Sequence, residues 1–177
     1  MTTPPPRAWF DVSAPTSNYA RGAGCVRMVL VAAQMTSGVA SEPRSTMSNR
    51  LASCSCGKLS VQVQGDPIRI SVCHCLACQR RTGSVFGAQA RFDRSNVTIA
   101  GEGKEFVRVG DEGTKATFTF CPECGATVYY VMAGLEDRIA IPVGAFADPS
   151  FPAPAFSVYE ERMHSWVAMP QDIEHMR

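Results

Sequence analysis

The stretch ATFTFCPECGATVYYV, residues 116–131, places a tight pair of cysteines between two short segments that predict β-strands. Between those segments, Cys121-Pro122-Glu123-Cys124-Gly125 has the form of a zinc knuckle. Pro122 presets the turn, and Gly125 allows a backbone conformation in which amides face the thiolates. The stretch therefore predicts two strands joined by a turn that carries two metal ligands.

A second pair of cysteines lies well upstream, in Cys54-Ser55-Cys56-Gly57. Two sulfurs that are two residues apart in an extended segment point to the same side and fit two corners of a tetrahedron. The two pairs together supply four thiolates, enough for a closed structural zinc site. Free core thiols are the alternative interpretation. The expected structural ligands are Cys54, Cys56, Cys121 and Cys124.

The remaining group is Cys73-His74-Cys75-Leu76-Ala77-Cys78. Its three thiols can converge on one metal ion, and no fourth cysteine remains nearby, so one coordination position stays open, as in a catalytic zinc site. His74 is an alternative fourth ligand, although a residue between two ligands in an extended segment should point away from them. We therefore expect Cys73, Cys75 and Cys78 to hold a catalytic zinc.

Two arginines follow this group directly. Arg80 and Arg81 are candidates to hold a substrate carboxylate through bidentate hydrogen bonds, and a solvated charged face is the alternative. The other conspicuous side chains are expected to be an incidental thiol, surface or packing histidines, and aromatics of the core or its rim: Cys25, His164, His175, Tyr129, Tyr130 and Trp166.

Composition excludes several classes of protein. The chain has 177 residues, 45% of them hydrophobic and 19% charged, which fits one globular domain with or without an arm. A net charge of +1 gives no field for binding a polyanion. The longest apolar run, residues 28–33, is far shorter than the ~20 residues of a membrane helix. We expect a cytoplasmic protein that binds neither nucleic acid nor membranes.

Residues 1–46 differ from the remainder of the chain. They contain three consecutive prolines at positions 4–6 and no sustained hydrophobic periodicity, so we expect a disordered or loosely packed arm. A signal peptide is the weaker interpretation, because the basic and apolar segments have the wrong lengths. Met47 could also be the true start. Residues 47–177 are expected to form the zinc-binding β domain.

Period-two alternation begins at Leu59, where apolar residues alternate with Ser60, Gln62 and Gln64. Short segments of this kind, separated by Gly, Asp or Pro, predict a mainly antiparallel β domain. Residues 145–155 should form a surface loop, and no helix longer than two turns is expected. The predicted strands are 59–64, 68–72, 86–92, 97–99, 106–109, 116–120, 127–131, 138–143 and 156–159.

The three cysteine groups, in this order and with a basic and Thr-Gly-Ser continuation after Cys78, resemble the glutathione-dependent formaldehyde-activating enzyme family, which includes the centromere protein V domain. The resemblance covers about residues 50 to 170 and extends to the tail around Trp166. It implies a tent-like antiparallel β fold with two zinc ions per chain. By resemblance, the four-cysteine set is structural and the three-cysteine set catalytic.

The resemblance also implies an activity. Family members add glutathione to formaldehyde to give S-hydroxymethylglutathione, and they are classed as carbon–sulfur lyases for the reverse cleavage. The expected partners are thus a small thiol such as glutathione and a small aldehyde. A site with three anionic sulfurs favours delivery of a thiolate over activation of water. A non-enzymatic, zinc-stabilised protein-interaction module is the alternative.

Overall fold

The computed structural model describes residues 48–111 and 113–176. The predicted arm, residues 1–46, lies outside the described residues, as does Cys25. The described part consists of a small and a large β-sheet that share one hydrophobic core. The fold is mainly β, as the spacing of the apolar segments predicts.

The small sheet has three antiparallel strands, β1 (Asn49–Ser53), β2 (Ser60–Gln64) and β5 (Val97–Ala100), in the order β1-β2-β5. The alternation in β2 appears directly in its burial, because Val61 and Val63 are buried while Gln62 and Gln64 are exposed. This sheet therefore buries one face, as a period-two pattern requires.

The large sheet has eight strands in the order β11-β10-β3-β4-β9-β8-β7-β6. From β3 to β6 all neighbours are antiparallel, whereas β10 runs parallel to both β3 and β11. The sequence did not predict this parallel edge. The strands are β3 (Arg69–Cys73), β4 (Gly87–Asp93), β6 (Lys104–Val109), β7 (Lys115–Phe120), β8 (Thr127–Met132), β9 (Arg138–Pro142), β10 (Phe156–Val158) and β11 (Glu174–Met176).

The two faces of the large sheet have different surroundings. Ile70, Phe92 and Ile139 point to the face that packs into the core shared with the small sheet. Because side chains alternate along a strand, Ser71 of β3 and Arg91 of β4 lie on the opposite face. That opposite face forms the floor of the cavity described below.

Helical structure in the described residues is sparse. The α-helix α1 (Leu76–Thr82) follows β3 and is about two turns long, which agrees with the expectation of no longer helix. Short 3-10 helices cover Arg94–Asn96, Val143–Phe146 and Glu160–Arg162. Within the described ranges no helix is long and apolar enough to cross a membrane.

Two strands and one aromatic residue differ from the sequence-based expectation. The strands β1 and β11 were not predicted, because NRLAS and EHM lack an apolar alternation. Tyr130 is buried and Tyr129 packs against the core, as expected. Trp166 was expected to pack as well, but 72% of its surface is exposed. Trp166 lies between the last 3-10 helix and β11, in a segment without strand pairing, and its ring contacts that of His164.

Candidate functional site

The first cluster of thiols lies where two strand-to-strand turns meet. Cys54 and Cys56 lie between β1 and β2, and Cys121 and Cys124 lie between β7 and β8. All four sulfurs lie within 4.8 Å of one another, with Sγ–Sγ distances of 3.5 Å for Cys54–Cys56 and 3.6 Å for Cys56–Cys121. The cluster therefore joins the small sheet to the large one.

Both turns end in a glycine with positive φ. Gly57 has φ 78° and donates its amide to the carbonyl of Cys54, while Gly125 has φ 74° and donates to the carbonyl of Cys121. L-residues with a side chain rarely adopt this left-handed conformation. The pattern of a cysteine pair followed by glycine thus encodes the local turn, as expected for Gly125.

The donor set of this cluster fits zinc. Zn–S bonds of about 2.3 Å in a regular tetrahedron place the sulfurs about 3.8 Å apart, close to the distances observed. The Leu59 amide, which donates to Cys54 Sγ at 3.3 Å, lowers the pKa of Cys54 to about 6 and so favours the thiolate that a metal requires. Four thiolates would leave no coordination position for a substrate.

The second cluster comes from a single stretch of chain. Cys73 ends β3, Cys75 is the N-cap of α1, and Cys78 lies in the first turn of that helix. Their sulfurs lie within 4.8 Å of one another, and Cys75 Sγ accepts a hydrogen bond from the Cys78 amide at 3.4 Å. The first turn of α1 brings Cys78 next to Cys73 and Cys75, so three sulfurs from six consecutive residues lie together.

The electrostatics of this cluster also suit a metal ion. The Cys73 thiol, with help from Arg81, lowers the pKa of Cys78 to about 6. The same Cys73–Cys78 hydrogen bond, together with burial, raises the pKa of Cys73. One thiol thus ionises first while its neighbour keeps the proton. A divalent cation would favour the thiolate form of both Cys73 and Cys78.

His74 lies between two of these cysteines but points away from them. Its ring is fully buried, its Nε2 lies 3.2 Å from Ser157 Oγ, and it contacts the ring of Phe86. His74 is not among the side chains whose ligand atoms converge in the described residues. The alternation of an extended segment explains this, because residues on either side of His74 face the opposite way.

A cavity of about 260 Å³ opens beside the three-thiol cluster, with all three cysteines in its wall. Its floor is the outer face of the large sheet, and α1 and the turn around Asp111 contribute other walls. The four-thiol cluster does not line this cavity. The cavity therefore gives a small molecule access to the three-thiol cluster.

The two arginines predicted to bind a substrate carboxylate lie in different surroundings. Arg81 is half-buried and lines the cavity next to Cys78, and its Cζ lies 5.1 Å from the centre of the Phe118 ring. Arg80 is exposed and does not line the cavity, but it lines an adjoining groove of about 580 Å³ whose wall also contains Cys78 and Arg81. A Cβ at Gly87 would lie 3.1 Å from Arg81 Nη2, so glycine there lets this guanidinium approach β4 closely.

Sequence reasoning missed four polar residues of the cavity. Three arginines come from β3, β4 and β6, and Tyr130 comes from β8. Burial raises the pKa of Tyr130 to about 12. The sequence feature that could have indicated the arginines was the presence of charged residues within predicted apolar strands. The missed arginines are Arg69, Arg91 and Arg108.

Comparison with known proteins identifies the family. The model for glutathione-dependent formaldehyde-activating enzymes matches residues 49–162. No curated protein matches the chain. Among solved structures, a Rhodobacter sphaeroides protein is 19% identical, with 56% of this chain and 91% of that chain covered and a TM-score of 0.44.

The matched range contains both thiol clusters and ends at residue 162, so it does not include the tail around Trp166, to which we expected the resemblance to extend. The tail around Trp166 provides no ligand to either cluster. The family model matches more than half of the residues of this chain. The chain therefore belongs to the glutathione-dependent formaldehyde-activating enzyme family.

Proposed function

We propose that this protein forms or cleaves the carbon–sulfur bond between a thiol such as glutathione and a small aldehyde such as formaldehyde, as a carbon–sulfur lyase. One observation carries the proposal: the cluster of three thiols, and not the cluster of four, lines a cavity large enough for a small molecule. The proposed compartment is the cytoplasm, whose reducing conditions keep ligand thiols free.

Cys73, Cys75 and Cys78 would hold a zinc ion at this cavity, and Cys54, Cys56, Cys121 and Cys124 would hold a second one. An ion with three thiolate ligands would supply an open position at which an incoming thiol ionises near neutral pH. In the addition, the substrate S–H bond breaks, a sulfur–carbon bond forms, and the carbonyl oxygen gains a proton.

Arg81 is the side chain best placed to orient the thiol. Its guanidinium is next to Cys78 and lies over the rings of Phe118 and Tyr130, at 5.1 and 5.8 Å from their centres. The two rings restrict the guanidinium, and its buried Nε has no partner within the described residues. A substrate carboxylate would satisfy that donor by a charge-assisted hydrogen bond.

Tyr130 is the side chain best placed to act on the aldehyde. Its raised pKa keeps the phenol protonated at neutral pH, and it lines the same cavity as the three thiols. The Tyr130 hydroxyl can donate a hydrogen bond to the carbonyl oxygen as negative charge develops there, and such donors commonly contribute a factor of about 10² or more to the rate.

The test combines metal content with thiol binding. Zinc analysis should give about two ions per chain. After Co²⁺ replaces the ion of the three-thiol cluster, glutathione should change the thiolate-to-metal absorption, and formaldehyde should then be consumed. Arg81→Ala should weaken this spectral response roughly tenfold, whereas the exposed Arg138→Ala should not. An unchanged spectrum at millimolar glutathione would remove glutathione as the thiol.

An interaction module is the second candidate, and it has its own supporting observation. The strand β6 ends the large sheet in the described residues and exposes Phe106, Val107 and Val109, by 60, 53 and 56%. An apolar edge strand can pair with a partner strand. One tightly held zinc ion per chain, with no thiol response, would favour the module over the enzyme.

A further inference from the structure

Two arginines face each other on the floor of the cavity. Arg69 of β3 and Arg91 of β4 are direct partners in the antiparallel register, and both are half-buried. Like charges directly opposite each other destabilise a sheet. The pair therefore destabilises the large sheet unless a negatively charged group lies between or above the two guanidinium groups.

No acid of the described residues neutralises this pair. Neither Arg69 nor Arg91 takes part in any ion pair within residues 48–111 and 113–176. Asp111 is the carboxylate that lines the described part of the cavity, and it pairs with Arg162 at 3.3 Å. The charge of Glu174 raises the pKa of Arg69, but this effect is smaller than the lowering caused by the charge of Arg91.

The hydrogen bonds that the two guanidinium groups make within the described residues are weak. Arg69 Nη2 lies 3.8 Å from Met176 Sδ, and Arg91 Nη2 lies 3.6 Å from Met132 Sδ. A thioether is a poor acceptor. The Nε of Arg69 is buried with no partner among the described residues, and burial, followed by Arg91, lowers the pKa of Arg69. A buried hydrogen-bond donor without an acceptor destabilises the folded protein. We therefore expect a ligand to supply the acceptor.

Arg69 is also held in place. Its Cζ lies 3.9 Å from the centre of the Phe156 ring, so one face of the guanidinium is covered. The planar group keeps its donor edge for a ligand, in the fork geometry that matches a carboxylate. A preorganised donor of this kind loses little entropy when an anion binds.

The pair lies at a defined distance from the thiols. Arg69, Ser71 and Cys73 alternate along β3 on the cavity face, so the arginine and the cysteine are roughly 13 Å apart along the strand. Between them, Gln89 Nε2 donates to Ser71 Oγ at 2.9 Å, while Gln89 Oε1 is buried without a partner in the described chain. The floor thus offers a thiol-binding end, an acceptor in the middle and an anion-binding end.

We propose that Arg69 and Arg91 bind a carboxylate at the end of the thiol substrate remote from its sulfur. This inference rests on the proposed function, since it assumes that the substrate sulfur lies at Cys73, Cys75 and Cys78. It narrows the substrates to elongated acidic thiols, with Arg81 near the sulfur and the Arg69–Arg91 pair at the far end. Small neutral thiols would bind only through their sulfur.

Matched pairs of simple thiols test the distance and the charge separately. The long pair is 8-mercaptooctanoate and its neutral analogue 8-mercaptooctanol; the short pair is 3-mercaptopropionate and mercaptoethanol. Dissociation constants are measured on the purified full-length protein by calorimetry in the zinc form, and by absorption after Co²⁺ exchange, which reports entry of sulfur. We expect the long acid to bind roughly 10- to 100-fold more tightly than the long alcohol.

Substitutions of the two arginines test whether they cause the preference for the long acid over the long alcohol. Arg91→Gln and Arg69→Gln should each reduce the acid-over-alcohol ratio of the long pair to within about threefold of unity, and they should leave the binding of 8-mercaptooctanol unchanged. Arg138→Gln removes the same charge from an exposed position of β9 and should keep the ratio of the unmodified protein. Circular dichroism and zinc content show that each variant is folded.

The outcomes separate this inference from the proposed function. If neither the long thiols nor glutathione changes the Co²⁺ spectrum, the proposed function is wrong and this inference falls with it; if glutathione changes it but the long thiols do not, only this inference is wrong. If sulfur enters but the long acid and alcohol bind equally, or if the preference survives in both arginine variants, the proposed function stands and the remote carboxylate site is wrong. A preference that appears only for the short pair would also overturn the inference.

Discussion

The two thiol clusters contain the same side chain in different surroundings. The four-thiol cluster brings together turns that are 65 residues apart along the chain, and it connects the two sheets. The three-thiol cluster is formed by six consecutive residues and lines a cavity. Sulfurs from distant segments meet only after folding, so a metal ion bound there would stabilise the fold, whereas a local cluster can lose a ligand without loss of the fold.

The surroundings of the clusters extend this difference. Around the four-thiol cluster, Cys54 and Cys121 are buried and belong to the main hydrophobic core. Beside the three-thiol cluster, four arginines and Tyr130 line the cavity wall. Cys56 and Cys124 of the four-thiol cluster are exposed, but four sulfur ligands would leave no position for a substrate, whereas the cationic donors beside the three-thiol cluster suit a substrate that arrives with negative charge. Each of the following predictions tests one part of this contrast.

The largest expected effect is on folding. Cys121→Ser removes a fully buried ligand of the four-thiol cluster, and structural zinc sites contribute about 10 kcal/mol or more, comparable with the whole stability of a domain. The variant should be insoluble or rapidly proteolysed. Limited proteolysis and zinc analysis of the soluble fraction measure this. The control is Cys25→Ser, which alters the thiol interpreted as incidental; a folded Cys121→Ser protein with two zinc ions would contradict the prediction.

The equivalent change in the other cluster should spare the fold. Cys75→Ser removes a ligand whose neighbours are all local, so the protein should remain folded, lose one zinc equivalent and lose aldehyde consumption. The Cys75 sulfur also caps α1, and serine is a good N-cap, so the helix should persist. Circular dichroism, metal analysis and turnover measure these effects. Loss of both zinc ions would show that the clusters are not independent.

Removal of one hydroxyl should separate binding from chemistry. Tyr130→Phe keeps the ring that packs against Phe118 at 4.8 Å but removes the proposed donor to the carbonyl oxygen. We expect kcat to fall roughly 10²-fold while zinc content and the Co²⁺ response to glutathione stay unchanged. The control is Tyr129→Phe, on the neighbouring position of β8 and therefore on the other face of the sheet. Equal rates for Tyr130→Phe and the unmodified protein would remove this residue from the mechanism.

The smallest effect is expected from removal of the arm. A chain beginning at Met47 contains every cysteine of both clusters, so it should bind two zinc ions and melt within a few degrees of the full chain. Calorimetry and metal analysis check this. If one zinc equivalent and the thiol response disappear, the arm, with Cys25, contributes to the three-thiol site, and that site is less local than we propose.

The sequence by itself determined which cysteines belong together. The spacing of each pair or triplet fixed which sulfurs can meet, because extended and turn geometries place side chains two or three residues apart on one side. Short apolar segments bounded by Gly, Asp or Pro likewise located nine of the eleven strands in the part of the chain that the structure describes. The sequence also named Arg80 and Arg81 as candidates, of which Arg81, one helical turn after Cys78, lines the cavity.

Only the tertiary structure decided what surrounds the open cluster. Arg69, Arg91, Arg108 and Tyr130 lie on four strands, and they meet because the sheet places β3, β4, β8 and β6 around one cavity. Strand order depends on hydrogen bonds between segments far apart along the chain, which no local pattern encodes. The two cysteine clusters could therefore be predicted from neighbouring residues, whereas the other groups that line the cavity required the assembled sheet.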